Sequence, residues 1–257
     1  MVGSIKHVVV IQSLTPGDKK TGKELYEDVI KMRINFTQPP ILKMTHQYHE
    51  VYNKNSFIEM LKFYGINSQY MHGGIVIHLE MHGSDDKSGL GLSDGTIILW
   101  EELVDLLRVI NINTKNNLYV TMATCFGRYM YLGVSDEKKS PYSAYISASK
   151  KVMPDEIITD FSIVFETLIA SGNLVYSYLE LEKQGSNFFY MDSETTFEAN
   201  FKIWKHDPVA RKEILDKASE KVRKRGNEKL DDDLMNEVYE RLLKKIYRVR
   251  KQNFIFP

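Results

Sequence analysis

The fold of this 257-residue chain is decided by two stretches, IVIHLEMHG (residues 75–83) and LYVTMATCFG (residues 118–127). Each begins with an apolar, β-branched run that predicts a buried strand. The first strand ends at His82-Gly83, and the second ends at a small residue followed by Cys125. The intervening segment has room for a loop, one helix and a return strand, and a right-handed crossover would make the two strands neighbours. We therefore expect His82 and Cys125 to meet at one end of a sheet.

Strands and helices alternate on both sides of these stretches. Apolar periodicity and turn residues predict strands over residues 6–12, 75–81, 118–123 and 144–152, an extended segment over 41–45, and helices over 21–33, 56–64, 100–110 and 155–171. Such alternation predicts an α/β fold, a three-layer sandwich with a mainly parallel sheet flanked by helices. In such sheets the ligand sites lie beyond the carboxyl ends of the strands, where His82 and Cys125 fall.

The C-terminal part of the sequence has a different character. Two long helical stretches, at about 208–225 and 231–250, meet at Gly226-Asn227, and Lys and Arg outnumber Asp and Glu there. We predict a main domain over residues 1–204 and a helical extension over 205–257 that packs on the core or binds a partner.

Composition narrows the class of protein. The chain is 43% hydrophobic and 26% charged. Its 34 Lys and Arg balance its 34 Asp and Glu, so the formal net charge is zero and the chain has no overall positive charge that would attract nucleic acid. No apolar run is long enough to span a membrane, and no secretory leader is recognisable. The single cysteine suits a reducing compartment. We expect a cytoplasmic protein without membrane association.

The strand-end pair suits acyl transfer. A thiol attacks as its thiolate, which a following helix N-terminus and a nearby imidazole both favour. The backbone N–H groups of Gly83 and Cys125 are placed to face a developing oxyanion, and glycine permits close approach. This chemistry requires no metal or organic cofactor.

These paired blocks resemble the caspase-like clan of cysteine peptidases. The following loop, SDDKSGLGLSDGTIILWEEL (residues 84–103), is most similar to bacterial caspase-like and CHAT-type peptidases, and the resemblance extends over residues 5–183. It implies a caspase-like fold in which Cys125 attacks, while His82 polarises the scissile carbonyl or protonates the leaving amine. It also implies that the strand near Ser147 and Ser149 flanks the substrate pocket, for which Ala123, Asp85 and Asp86 are further candidates. Ala123 departs from the metacaspase pattern, which has an acid two residues before the nucleophile.

The resemblance implies an intracellular endopeptidase that cleaves a specific protein through a thioacyl intermediate. We expect its activity to be gated by a regulatory partner, an oligomeric activator or an activation event, and expect a role in bacterial stress or phage defence. A catalytically inactive binding module is the alternative. Asp85, Asp86 and Asp94 lie in loops near the expected cleft, and either recognition of a basic substrate or turn formation accounts for them.

Two further motifs suggest other chemistry. Residues 17–24 match the phosphate-binding G-x-x-x-x-G-K pattern, but Glu24 replaces the Ser or Thr that would hold magnesium, so a nucleotide-binding switch is a weaker alternative. His78, Glu80 and His82 alternate along one strand face, where they could hold a metal. A hydrogen-bonded His78–Glu80 pair beneath the active site accounts for them without an ion.

Overall fold

The computed structural model describes residues 5–37, 39, 43–224 and 232–256. Its strands are β1 (Ile5–Ser13), β2 (Thr45–Glu50), β3 (Gly74–Gly83), β4 (Gly89–Gly91), β5 (Ile97–Leu99), β6 (Leu118–Ala123), β7 (Ala144–Ala148) and β8 (Phe188–Asp192). Its α-helices are α1 (Thr21–Leu25), α2 (Met32–Phe36), α3 (Lys54–Asn67), α4 (Trp100–Asn113), α5 (Pro154–Ser171), α6 (Leu174–Glu182), α7 (Ser193–Lys205), α8 (Pro208–Lys224) and α9 (Asp232–Phe254).

One mixed sheet organises the fold, in the order β2-β1-β3-β6-β7-β8. All neighbours along this path run parallel except β7 and β8, while β4 and β5 form an antiparallel extension of β3. The predicted α/β class, with a mainly parallel sheet flanked by helices and a helical C-terminal portion, is confirmed. The predicted adjacency of β3 and β6 is also confirmed.

The central strands are buried on both faces, as parallel strands between helices normally are. Val8 and Val10 of β1 join a core cluster with Phe161 and Phe165 of α5. The alternate residue Val9 is buried as well, because it points to the opposite face. Helices α3 and α4 pack against each other, and α5 packs against α1 and α6.

Several element boundaries differ from the sequence prediction. The helix predicted over 21–33 is interrupted by a π-helical turn at Tyr26–Lys31 and continues to Phe36. The strand predicted over 144–152 ends at Ala148, where the chain turns toward α5. The extended segment predicted over 41–45 is replaced by strand β2, which begins at Thr45, and residues 41 and 42 lie outside the described residues.

Capping residues fix both ends of α5 and the start of α3. Helix α5 has Pro154 at its first position, where a missing N–H costs nothing, and Gly172 follows it with a left-handed φ of 70°. Helix α3 begins with a capping box in which Asn53 and Ser56 satisfy each other's backbone N–H groups.

The chain forms two compact units. The first comprises Met1–Val134 with Ser140–Ser193, and the second comprises Ser135–Lys139 with Glu194–Pro257. The second unit therefore begins before the predicted boundary at 204 and includes a short earlier segment. The predicted junction at Gly226-Asn227 lies outside the described residues.

Candidate active site

The carboxyl ends of β3 and β6 bring the predicted site residues to one edge of the sheet. Glu80 is the register partner of Ala123, and His82 and Cys125 each come two residues later. Both side chains line the same cavity of about 140 Å³. The imidazole of His82 is 56% exposed and Cys125 is half-buried, so both side chains are accessible to solvent.

The backbone around Cys125 depends on Gly83. A Cβ atom at position 83 would lie far inside van der Waals contact with the carbonyl oxygen of Cys125, so only glycine lets the two strand ends approach this closely. The hydroxyl of Thr124 donates to the same carbonyl at 3.4 Å. The close packing fixes the backbone that carries the thiol.

The chain after Cys125 does not form the expected α-helix. Phe126 adopts a left-handed conformation with φ of 60°, and a 3-10 helix follows at Gly127–Gly133. A Cβ atom at Gly127 would lie 2.8 Å from the Thr124 methyl group and 3.2 Å from the Cβ of Ser147. Because Gly127 must fit against β7, the chain turns sharply instead of continuing into a long helix.

Asp18 contacts His82 from the loop after β1, and sequence reasoning missed it. Its Oδ2 accepts a hydrogen bond from His82 Nε2 at 3.0 Å and two more from the backbone N–H and hydroxyl of Thr15, at 2.7 and 2.8 Å. Burial raises the pKa of Asp18, but the hydrogen bonds from His82 and Thr15 outweigh burial and hold that pKa below its ordinary value. Asp18 is therefore a charged partner that orients the imidazole.

A buried polar network lies beneath His82 on the same face of β3. His78 Nδ1 is 2.9 Å from the hydroxyl of Thr121, and His78 Nε2 is 3.3 Å from Glu80 Oε2. Thr21 donates its hydroxyl to Glu80 Oε1 at 2.7 Å. The predicted hydrogen-bonded His78–Glu80 pair is thus present, and it connects α1, β3 and β6.

The substrate-pocket residues predicted near the strand ends have different environments. Ala123 lines the cavity. Ser147 is fully buried in β7, and its hydroxyl has no hydrogen-bond partner among the described residues. Ser149 lies just beyond the end of β7. Of the three, only Ala123 contributes to the wall of this cavity.

The loop acids predicted near the cleft are exposed. Asp85 is 92% exposed, and its carboxylate is 3.6 Å from Lys151. Asp86 accepts hydrogen bonds from the backbone N–H and hydroxyl of Ser88, and Asp94 accepts the same pair from Thr96. These bonds give Asp86 and Asp94 the turn-forming role that the sequence left open.

Residues of the phosphate-loop motif, Gly17 to Glu24, contact other residues of the chain. Lys20 donates to the backbone carbonyl groups of Leu14 and Thr15 at 2.6 and 3.0 Å. A Cβ atom at Gly22 would lie 2.8 Å from Glu80, so this glycine serves close packing of α1 on β3. Lys23, the lysine of the motif, is exposed and donates its backbone N–H to Gln12 Oε1 at 3.0 Å.

Neither a metal centre nor a membrane span is found in the described part of the chain. No group of three or more His, Cys, Asp or Glu side chains in residues 5–37, 39, 43–224 and 232–256 is arranged to hold a metal ion. None of the helices in these same ranges has the length and apolar character that crossing a membrane requires.

The chain is similar to the crystal structure of the Drosophila initiator caspase Dronc, with a TM-score of 0.49 and 11% sequence identity, over 72% of this chain and 79% of that chain. No protein-family model and no curated protein matches the sequence.

Proposed function

We propose that the chain is a cysteine peptidase in which Cys125 is the nucleophile and His82 is the acid–base catalyst. One observation carries this proposal: His82 and Cys125 line one cavity at the ends of neighbouring parallel strands, and Asp18, in the loop after β1, contacts the imidazole. A nucleophile, a base and a group that orients the base are the parts that covalent acyl transfer needs.

The Asp18 contact assigns roles to the two imidazole nitrogens. Because Nε2 lies 3.0 Å from a carboxylate, it carries the proton in neutral His82, and Nδ1 is left as the proton acceptor. His82 takes the thiol proton as Cys125 Sγ attacks the scissile carbonyl carbon. When the C–N bond breaks, His82 returns that proton to the leaving amine. Water then hydrolyses the thioester, with His82 as base, and the thiol is restored.

The oxyanion that forms during attack needs donors on the side away from His82. The backbone N–H groups of Gly83 and Cys125 remain our prediction for this role, and the tight packing of Gly83 on the Cys125 carbonyl supports it by fixing both groups. Fixed donors stabilise the developing charge without having to reorganise first.

The test compares new protein N-termini in lysates that contain the intact chain, Cys125→Ala or His82→Ala. Cuts that require both residues support the proposal. His72→Ala is the matched control, since His72 is an exposed histidine and its recorded contact, with His7, uses only its backbone carbonyl. Absence of cuts, together with failure of an electrophilic peptide probe to label Cys125, would favour the inactive binding module.

Four finer expectations stay predictions from the sequence. They are the placement nearest to bacterial CHAT-type peptidases, the regulatory partner or oligomeric activator, the role in stress or phage defence, and the cytoplasmic location. The lysate experiment addresses the activator directly, because addition of candidate partners should increase cuts that depend on Cys125.

A further inference from the structure

The cavity beside His82 and Cys125 combines apolar walls with one buried acid. Its apolar lining comes from Leu14, Met81, Ala123, Val152, Pro154 and Ile157. Glu80 also lines the cavity and is only 2% exposed. Lys19 lines the cavity as well, but its ammonium is already paired with Asp155 at 3.0 Å and with Glu24 at 3.7 Å. A narrow apolar cavity with a carboxylate in its wall suits a side chain that has an aliphatic stem and a polar end.

The carboxylate of Glu80 has no Lys or Arg partner within 4.0 Å among the described residues. Its partners are the hydroxyl of Thr21 and the imidazole of His78, which is charged only when protonated. A carboxylate offers about four acceptor positions, so two stay open after these bonds. Because buried carboxylates are normally paired with a cation, the open positions favour a positively charged ligand.

The position of Glu80 along β3 fits such a ligand. Glu80 precedes His82 by two residues on the same strand face, a separation of about 7 Å along the strand. Its register partner is Ala123, whose small side chain leaves space beside the carboxylate. A side chain that enters from the scissile bond near His82 and Cys125 therefore meets Glu80 after about the length of an extended Lys or Arg side chain.

We propose that this cavity selects substrates with Arg or Lys immediately before the cut, and that Glu80 is the residue that recognises the positive charge. The inference rests on the proposed peptidase function. An acidic side chain would face two carboxylates, Glu80 and Asp18, at short range. A purely apolar side chain would fill the walls but leave the buried carboxylate without a cation.

The first experiment uses fluorogenic peptide amides that differ only in the residue before the cut. Arginine is compared with citrulline, its neutral isostere, and lysine with norleucine. We expect kcat/KM for the charged member of each pair to be about 10- to 100-fold higher. In Glu80→Gln both ratios should fall to near one, whereas Asp28→Asn, which neutralises an exposed acid that does not line the cavity, should leave them unchanged. Equal rates within each pair, or a preference for Asp, would overturn the proposal.

A second experiment separates failure of the selectivity from failure of the peptidase function. Peptides with Arg or citrulline are titrated into full-length Cys125→Ala, and binding is followed by calorimetry. Tighter binding of the Arg peptide, lost in Cys125→Ala/Glu80→Gln, supports the assignment even if the intact chain cuts nothing. Equal binding of both peptides rejects it even if cuts that depend on Cys125 occur. The comparison of Arg with citrulline in the intact chain remains decisive if Glu80→Gln does not fold.

Discussion

Asp18 links the loop after β1 to the end of the neighbouring strand β3, because its carboxylate contacts His82. Asp18→Asn keeps the shape of the side chain but removes its charge, so the imidazolium formed during attack loses its stabilising partner. We expect kcat to fall by about 10- to 100-fold with little change in KM. Asp28→Asn is the control, since Asp28 is exposed and has no recorded partner among the described residues. A fall in kcat/KM through KM alone would contradict the orienting role.

The same carboxylate predicts how stability depends on pH. Hydrogen bonds from His82 and Thr15 lower the pKa of Asp18 in the folded chain, although burial opposes them. A lowered folded pKa stabilises the protein above the unfolded pKa of about 3.9, and the stabilisation disappears as the pH falls through the folded pKa. At pH 6 the wild type should therefore be more stable than Asp18→Asn, by at most about 1 kcal/mol in unfolding free energy. The melting temperatures of the two proteins should differ at pH 6 and converge below pH 3. A difference that grows on acidification would show the opposite sign.

Gly83 offers a second test at the scale of one residue. In Gly83→Ala the new methyl group would overlap the carbonyl group of Cys125, so the two strand ends must separate. We expect loss of more than about 100-fold in kcat/KM, because misplacement of about 1 Å is that damaging. Gly91→Ala is the matched control, because its Cβ would lie 3.8 Å from His82, an ordinary contact. Normal labelling of Cys125 in Gly83→Ala would refute the packing argument.

The proximity of His82 and Cys125 was predictable from the geometry of parallel sheets. His82 and Cys125 end consecutive apolar strands, and strand ends of a parallel sheet share an edge, so their proximity was predictable. The same rule places the loop after β1, which contains Asp18, at this edge of the sheet. The loop also matches a phosphate-binding pattern, and the sequence prediction considered only that pattern. The available signal was that an acidic residue follows the strand beside β3.

At the scale of elements, the Glu80 network connects a helix to two central strands. Thr21→Val replaces the hydroxyl with a methyl group and leaves the buried Glu80 carboxylate without a donor at Oε1. We expect a loss of about 1 to 3 kcal/mol in unfolding free energy, measured by denaturant titration. Thr159→Val, at an exposed site of α5 where the hydroxyl bonds only to a local carbonyl, should change stability by less than about 0.5 kcal/mol. Equal effects of the two substitutions would argue against the network.

Three strands that sequence analysis missed, β2, β4 and β5, are short or lie at an edge. Strand β2 lies at the edge of the sheet, and its sequence THQYHE has only exposed and half-buried positions and no apolar run. Strands β4 and β5 have three residues each, too few to show a period. By contrast, β1, β3 and β6 are buried on both faces and therefore read as continuous apolar runs. Hydrophobic patterns in the sequence therefore predict buried strands well and fail for strands that are short or lie at an edge of the sheet.

At the scale of the whole molecule, the second compact unit contains its own ion-pair network. Arg250 of α9 contacts both carboxylate oxygens of Asp136 at 3.0 Å and one of Glu137 at 2.5 Å. Its guanidinium lies 3.9 Å from the ring centre of Trp204. Arg250 is 15% exposed and Asp136 is 10% exposed, so water screens this pair little. The network joins the segment Ser135–Lys139 to α7 and α9 within one unit.

Arg250→Ala should therefore weaken the second unit specifically. Removing the guanidinium leaves Asp136 nearly buried without its cation, which we expect to lower the stability of this unit by about 2 to 4 kcal/mol. Arg250→Lys should recover only part of the loss, because an ammonium cannot make the paired contact. Arg248→Ala is the matched control, since Arg248 is an exposed arginine of the same helix with no recorded partner among the described residues.

Hydrogen exchange measured by mass spectrometry separates the two units in this experiment. Amides of α7, α8 and α9 should exchange faster in Arg250→Ala, while those of β3 and β6 keep their wild-type protection, because local stability differs between cooperative units. Peptidase activity, where present, should then persist at temperatures at which the helical unit has already lost protection. Equal loss of protection in β3, β6 and α9 would mean that both units unfold as one cooperative structure, and that the helical unit cannot be perturbed without also disrupting the site at His82 and Cys125.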